Sequence, residues 1–194
     1  MANEPAQLIL LYFIVPLWLL AGLADWACHK QADIAATSGL KESAIHLLMF
    51  VEVGVPLLMA IFLEINALII VIAFSCFLLH EATALWDVSY ARKTREVSAI
   101  EQHVHSFLEM IPLMALVLIV AAHWQAFLSV FGQAQVSPTF AFVMKSPALS
   151  GQYITLLLIA VMVVVIGPFI EEFIRCYKAR RTEKQTLKSA SPSR

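Results

Sequence analysis

Residues 44–79 read AIHLLMFVEVGVPLLMAIFLEINALIIVIAFSCFLL. One helical crossing of a membrane takes about 20 predominantly apolar residues. This run is too long to cross once, and the break that can turn it is Glu64-Ile65-Asn66. The chain therefore turns near Asn66, and the run belongs to two helices, one from about Glu42 to Leu63 and one ending near Tyr90. Helices are required because the backbone of a lipid-embedded segment must satisfy its own hydrogen bonds. Pro56 can kink the first of the two, which neighbouring helices tolerate.

The pattern extends outward in both directions. Upstream, residues 8–24 (LILLYFIVPLWLLAGLA) form a first span, and the polar connection 30–41 leads to the second, with Thr37 or Ser38 as its cap. No Lys or Arg precedes residues 8–24, so this segment is expected to be retained rather than removed as a signal peptide. Downstream, residues 97–122 give a fourth span and residues 152–170 a fifth. Residues 123–150 between them hold prolines and aromatics and read as an interfacial loop with a short helix over 124–131.

Composition agrees. The chain of 194 residues is 60% hydrophobic and 14% charged, against about 45–50% and about 25% in soluble domains. The expected fold is all-α: a polytopic membrane bundle of five transmembrane helices with a four-helix metal-binding core. Residues 1–178 make one domain, and 179–194 a basic, flexible tail. Cys28, Cys76 and Cys176 are scattered and form no disulfide framework. There is no Gly-rich phosphate loop, no GxSxG, and no basic patch suited to nucleic acid outside the tail.

Five alternating spans place the end of the first, third and fifth and the start of the second and fourth on one side. That side carries Lys30, Lys41, Arg92, Lys93, Arg95 and the basic tail; Lys145 stands alone in the opposite loops. The positive-inside rule makes it cytoplasmic, with the N-terminus outside. A bacterial-type inner membrane is the expected location.

The same side collects the ionisable groups. Asp25/His29, Glu42/His46 and Glu101/His105 are each carboxylate and imidazole at i, i+4, and His80/Asp87 are at i, i+7. Both spacings put the pair on one helix face. His29, Glu42, Asp87 and Glu101 fall at one depth; Asp25, His46 and His105 lie about 6 Å deeper at 1.5 Å per residue. His80, Glu52 and Glu109 lie a further turn in. Charged groups at membrane depth are costly and mark functional sites, and mixed carboxylate and imidazole sets bind transition metals. The expected ligands are therefore Asp25, His29, Glu42, His46, His80, Asp87, Glu101 and His105, holding two metal ions. Iron suits this set, with zinc or manganese as alternatives. Glu52 and Glu109 are the candidate catalytic carboxylates, Glu109 also as the acceptor that orients the His105 ring. Glu52 and His80 are expected to interact. Glu81, Glu96 and His103 point off the favoured faces, and Glu171 and Glu172 read as a solvated helix end.

Acidic and His ligands on a four-helix core resemble the integral-membrane diiron oxidoreductases and, more distantly, the ferritin-like diiron proteins. The likeness covers about residues 25–109 and rests on ligand type and bundle placement. The repeat here is Glu-x-x-x-His rather than Glu-x-x-His, and HxxHH boxes are absent. The expected function is oxidation of a lipid-soluble small molecule with dioxygen, among membrane lipids. With no flavin, haem or iron–sulfur motif, electrons would come from a separate donor protein. A dizinc or dimanganese lipid hydrolase and a metal transporter are the competing classes.

Overall fold

The computed structural model describes residues 4–146 and 148–190. Five helices are long and apolar enough to cross a membrane: α1 (Pro5–Gln31), α2 (Gly39–Phe62), α3 (Ala67–Thr94), α4 (Ala99–Ala122) and α6 (Gly151–Ser189). A short α5 (Trp124–Val130) follows α4. The chain is an all-α polytopic membrane bundle. Its outward faces carry large apolar side chains, among them Leu20, Leu78, Leu85, Val117 and Val163, each more than half exposed. That surface suits lipid rather than water.

Local chemistry sets the helix ends. The Asn66 side chain caps α3 by accepting from the Ile69 N–H at 3.3 Å. Ser98 caps α4 by accepting from the Glu101 N–H at 3.1 Å. Each satisfies one of the backbone donors left free in a first helical turn. Pro16 and Pro168 both sit just after a π-turn, at Leu10–Ile14 and Met162–Ile166. A proline removes one i→i−4 bond and crowds the preceding turn; the wider π-turn relieves that crowding inside a continuous helix.

The expected hairpin at Glu64–Asn66 is present, and the loop after α5 completes it. Glu64 N–H donates to Val143 O at 2.8 Å and Lys145 N–H to Phe62 O at 2.9 Å. The Asn66 amide donates to Ala141 O at 2.8 Å. Backbone groups freed by the α2–α3 break are thus paired.

Two boundaries differ from expectation. The Arg92–Arg95 stretch is not a turn: α3 continues to Thr94, and the connection is only Arg95–Ser98. Residues 179–189, expected as part of a flexible tail, continue α6 as helix; the last four residues lie outside the described ones.

Neighbouring helices follow the order α1, α4, α3, α2, α6 and back to α1. The five thus close into a ring. Ile14, Trp18, Leu19, Ala21, Ile111, Val165 and Phe169 form the apolar core where α1, α4 and α6 meet. At the end of the ring holding the α1–α2 and α3–α4 connections, this core gives way to polar groups.

Candidate metal centre

All five long helices send ionisable side chains into the ring. α1 supplies Asp25 and His29, α2 Glu42 and His46, α3 Asp87, α4 Glu101 and His105, and α6 Glu172; none is more than 7% exposed. The i, i+4 pairs share a face as expected, which is how one helix delivers two groups to one place.

His29 is at the centre. Its Nδ1 lies 3.0 Å from Glu172 Oε2, and its Nε2 lies 3.3 Å from Asp25 Oδ1 and 3.6 Å from Glu101 Oε1. His46 stacks on it with ring centroids 4.3 Å apart and planes 10° from parallel. His46 Nδ1 lies 3.1 Å from Glu172 Oε1, and its Nε2 lies 3.3 Å from Asp87 Oδ1. His105 Nε2 lies 3.0 Å from Asp25 Oδ1. Glu172 thus holds one ring nitrogen of each stacked imidazole, leaving both Nε2 atoms directed at other acids.

Glu172 corrects the sequence expectation. Read as part of a solvated helix end, it is fully buried. Its neighbour Glu171 does take that role, accepting from Trp26 Nε1 at 3.0 Å and Arg175 Nε at 3.1 Å. Helical spacing carried the signal: Val165, Phe169, Glu172 and Cys176 form one stripe, all buried. The polar core therefore draws on five helices rather than four.

Arg95 is the second group that sequence reasoning misplaced. Assigned to a basic turn, its side chain is 3% exposed and lies between Glu42 and Glu101. It donates to Glu42 through Nη2 at 2.5 Å and Nε at 3.3 Å, and to Glu101 through Nη1 at 3.0 Å and through Nη2. Such fork-to-carboxylate pairing is the geometry a guanidinium favours. The two carboxylates raise the Arg95 pKa further above its ordinary value, against the opposing effect of burial. No sequence signal marks this contact, because Glu42 is on another helix.

The remaining candidates separate by depth. Glu52 accepts from Thr83 Oγ1 at 2.9 Å, and its Oε2 lies 3.8 Å from His80 Nδ1. The expected Glu52–His80 proximity is present, but the pair belongs to a different place: both line an apolar cavity of about 670 Å³. Glu109 and Glu81 are half-buried and Glu96 exposed; none joins the contacts above. His103 is exposed, edge-on to Phe107. Trp86 and Tyr90 flank the Lys41 ammonium at the polar end of the ring.

No family model matches this chain, and neither a curated protein nor a solved structure does.

Two ligand groups are assembled, Asp25–His29–His105 and His29–Glu42–His46, each with ligand atoms within 4.8 Å of one another. Ligands at about 2.0–2.2 Å from one ion lie at most about 4.4 Å apart, so closure needs only small side-chain movements. Asp25 Oδ1, His29 Nε2, His46 Nε2, Asp87 Oδ1 and His105 Nδ1 are buried without a hydrogen-bond partner. Such atoms are costly when buried, and a cation would satisfy those that face one another. Charge points the same way. Five buried carboxylates (Asp25, Glu42, Asp87, Glu101 and Glu172) face one guanidinium and three imidazoles. With every imidazole protonated, one negative charge is still left over.

Proposed function

We propose that this chain is a membrane-embedded metalloenzyme, a dimetal oxidoreductase that uses dioxygen on a lipid-soluble substrate. The observation that supports the proposal is the convergence of buried imidazole nitrogens and carboxylate oxygens from five helices at one end of the ring, with excess negative charge. Asp25, His29 and His105 would hold one ion. His29 lies between the two groups, and His46 and Glu42 would hold the second. Glu42 is engaged by Arg95, so the second group is complete only if Glu42 exchanges the guanidinium for the ion. Glu172, on His46 Nδ1, would set that ring's orientation and basicity, leaving Nε2, which faces Asp87, for the ion.

Iron is the metal of choice, since carboxylates stabilise its higher charge and imidazole suits it equally. Bound there, it would supply the redox chemistry, and burial among the five helices would shield the centre from bulk water. The apolar cavity supports a lipid-soluble substrate. Glu52, on its wall, lies six residues from His46, about 9 Å along the helix, and is the group placed to exchange a proton with a bound molecule. Electrons would come from a separate protein. The basic groups at the polar end favour a cytoplasmic metal centre and an external N-terminus, in a bacterial-type inner membrane.

Elemental analysis of protein purified without chelator or affinity metal tests the reading. Iron, with oxygen uptake after anaerobic reduction, is the expected result. Zinc without oxygen uptake would favour the hydrolase, in which a metal-bound water attacks a lipid. Absence of any stoichiometric metal would refute the proposal.

A further inference from the structure

The cavity that Glu52 and His80 line has a second polar end. Gln7, His123 and Lys145 line it as well, while its middle is Leu11, Val15, Leu57, Phe77 and Ile111. Lys145 Nζ donates to the backbone carbonyl of Ala60. Among the described residues no carboxylate lies within salt-bridge distance of it. An ammonium has three donors and no acceptor, so Lys145 retains donors for a ligand. Ala60 and Glu52 are eight residues apart on α2, about 12 Å along its axis. The cavity thus has a cationic outer end, an apolar barrel and an acidic inner end.

We infer that this cavity is a binding site for a single-chain amphiphile with a carboxylate head, held at Lys145 and His123, with its chain running inward toward Glu52 and His80. Charge fixes the direction. A carboxylate at the inner end would face the Glu52 carboxyl, whereas at the outer end it meets an unpaired cation. Size agrees with a small-molecule ligand, because about 670 Å³ falls within the range of such pockets, about 300–1,000 Å³. The environment of the two head-binding groups agrees. Burial lowers the Lys145 pKa, and burial followed by the nearby Lys145 charge lowers that of His123. A bound anion would offset both effects. The oxygen and nitrogens at the inner end, Glu52 Oε2 and both His80 ring nitrogens, have no hydrogen-bond partner, and a hydroxyl on the chain would donate to one of them and accept from another.

The test is direct binding to the full chain in phosphatidylcholine nanodiscs. The probes are a fluorescent conjugated-polyene fatty acid and its methyl ester. Saturable binding of the acid is expected, with the ester at least tenfold weaker. Lys145→Met should weaken the acid at least tenfold and leave the ester unchanged, while Lys145→Arg should keep most of the acid's affinity. Ala115→Phe, which fills the barrel, should weaken both; the Lys145 pair decides the matter should that variant fail to fold. Equal affinity for acid and ester, or indifference to Lys145→Met, would overturn the inference. So would displacement of the probe by equimolar phosphatidylglycerol, which would make the site one for a two-chain lipid. Binding is read without metal or turnover, so this inference stands or fails apart from the metal centre.

Discussion

Replacing Glu172 by Gln tests the centre at the residue that ties it together. The carboxylate accepts from two imidazoles, at 3.0 and 3.1 Å, in a fully buried position. Gln has nearly the same shape, but its amide NH₂ cannot accept. One imidazole must turn an unprotonated nitrogen toward it, and both contacts lose their ionic component. Hydrogen bonds to charged groups contribute about 1.5–3 kcal/mol and neutral ones about 0.5–1.5. The difference over two contacts is about 2–3 kcal/mol, or about 30–140-fold in an equilibrium constant at 1.4 kcal/mol per decade. Loss of a group that orients a metal-binding His typically costs about 10–100-fold in affinity or activity, which agrees. The assay is metal retention against a graded series of chelator concentrations, with thermal unfolding in the same detergent. Glu171→Gln is the control. That side chain is 45% exposed, and its loss should change stability by no more than about 0.5 kcal/mol. If Glu172→Gln retains metal and unfolds as the Glu171→Gln control does, the buried bridge is not what holds the two imidazoles.

Arg95→Met should destabilise the fold by about 3–5 kcal/mol, because it leaves the buried carboxylates of Glu42 and Glu101 without their cation. Added metal should restore part of that loss, and unfolding without and with metal checks both. His105→Ala should strip metal, since its Nε2 lies 3.0 Å from Asp25 in the first ligand group. His103→Ala should be nearly silent, because that ring is exposed. Metal content of the two variants side by side is the measurement, and the reverse order would place the functional face of α4 on the other side. Single cysteines at Ser137 and Ser189, in a background lacking the native cysteines, should react with a membrane-impermeant thiol reagent from the outside at Ser137 and only from the cytoplasmic side at Ser189. The reverse pattern, or reaction of both from one face, would sink the N-out arrangement.

The residues visible in the sequence as site candidates were those whose signal is local to one helix. Length and apolarity alone require the spans, because a lipid-embedded backbone has no other partner for its hydrogen bonds. The i, i+4 spacing alone puts Asp25 with His29, Glu42 with His46 and Glu101 with His105, since helix geometry is the same wherever the helix goes. Asn66 marks the hairpin because a break in hydrophobicity at that point can only be a turn. What required the tertiary structure was everything that depends on rotation and neighbour order. Glu171 and Glu172 are adjacent and alike in type, yet 100° of helical rotation exposes one and buries the other between His29 and His46. Arg95 reads as a solvated cation until α2 and α4 bring Glu42 and Glu101 to either side of it. Glu52 and His80 lie a further turn in than the deeper site candidates, and the packing of the ring turns them into the apolar cavity. Depth follows from position along one helix; which groups meet at that depth follows from how five helices pack.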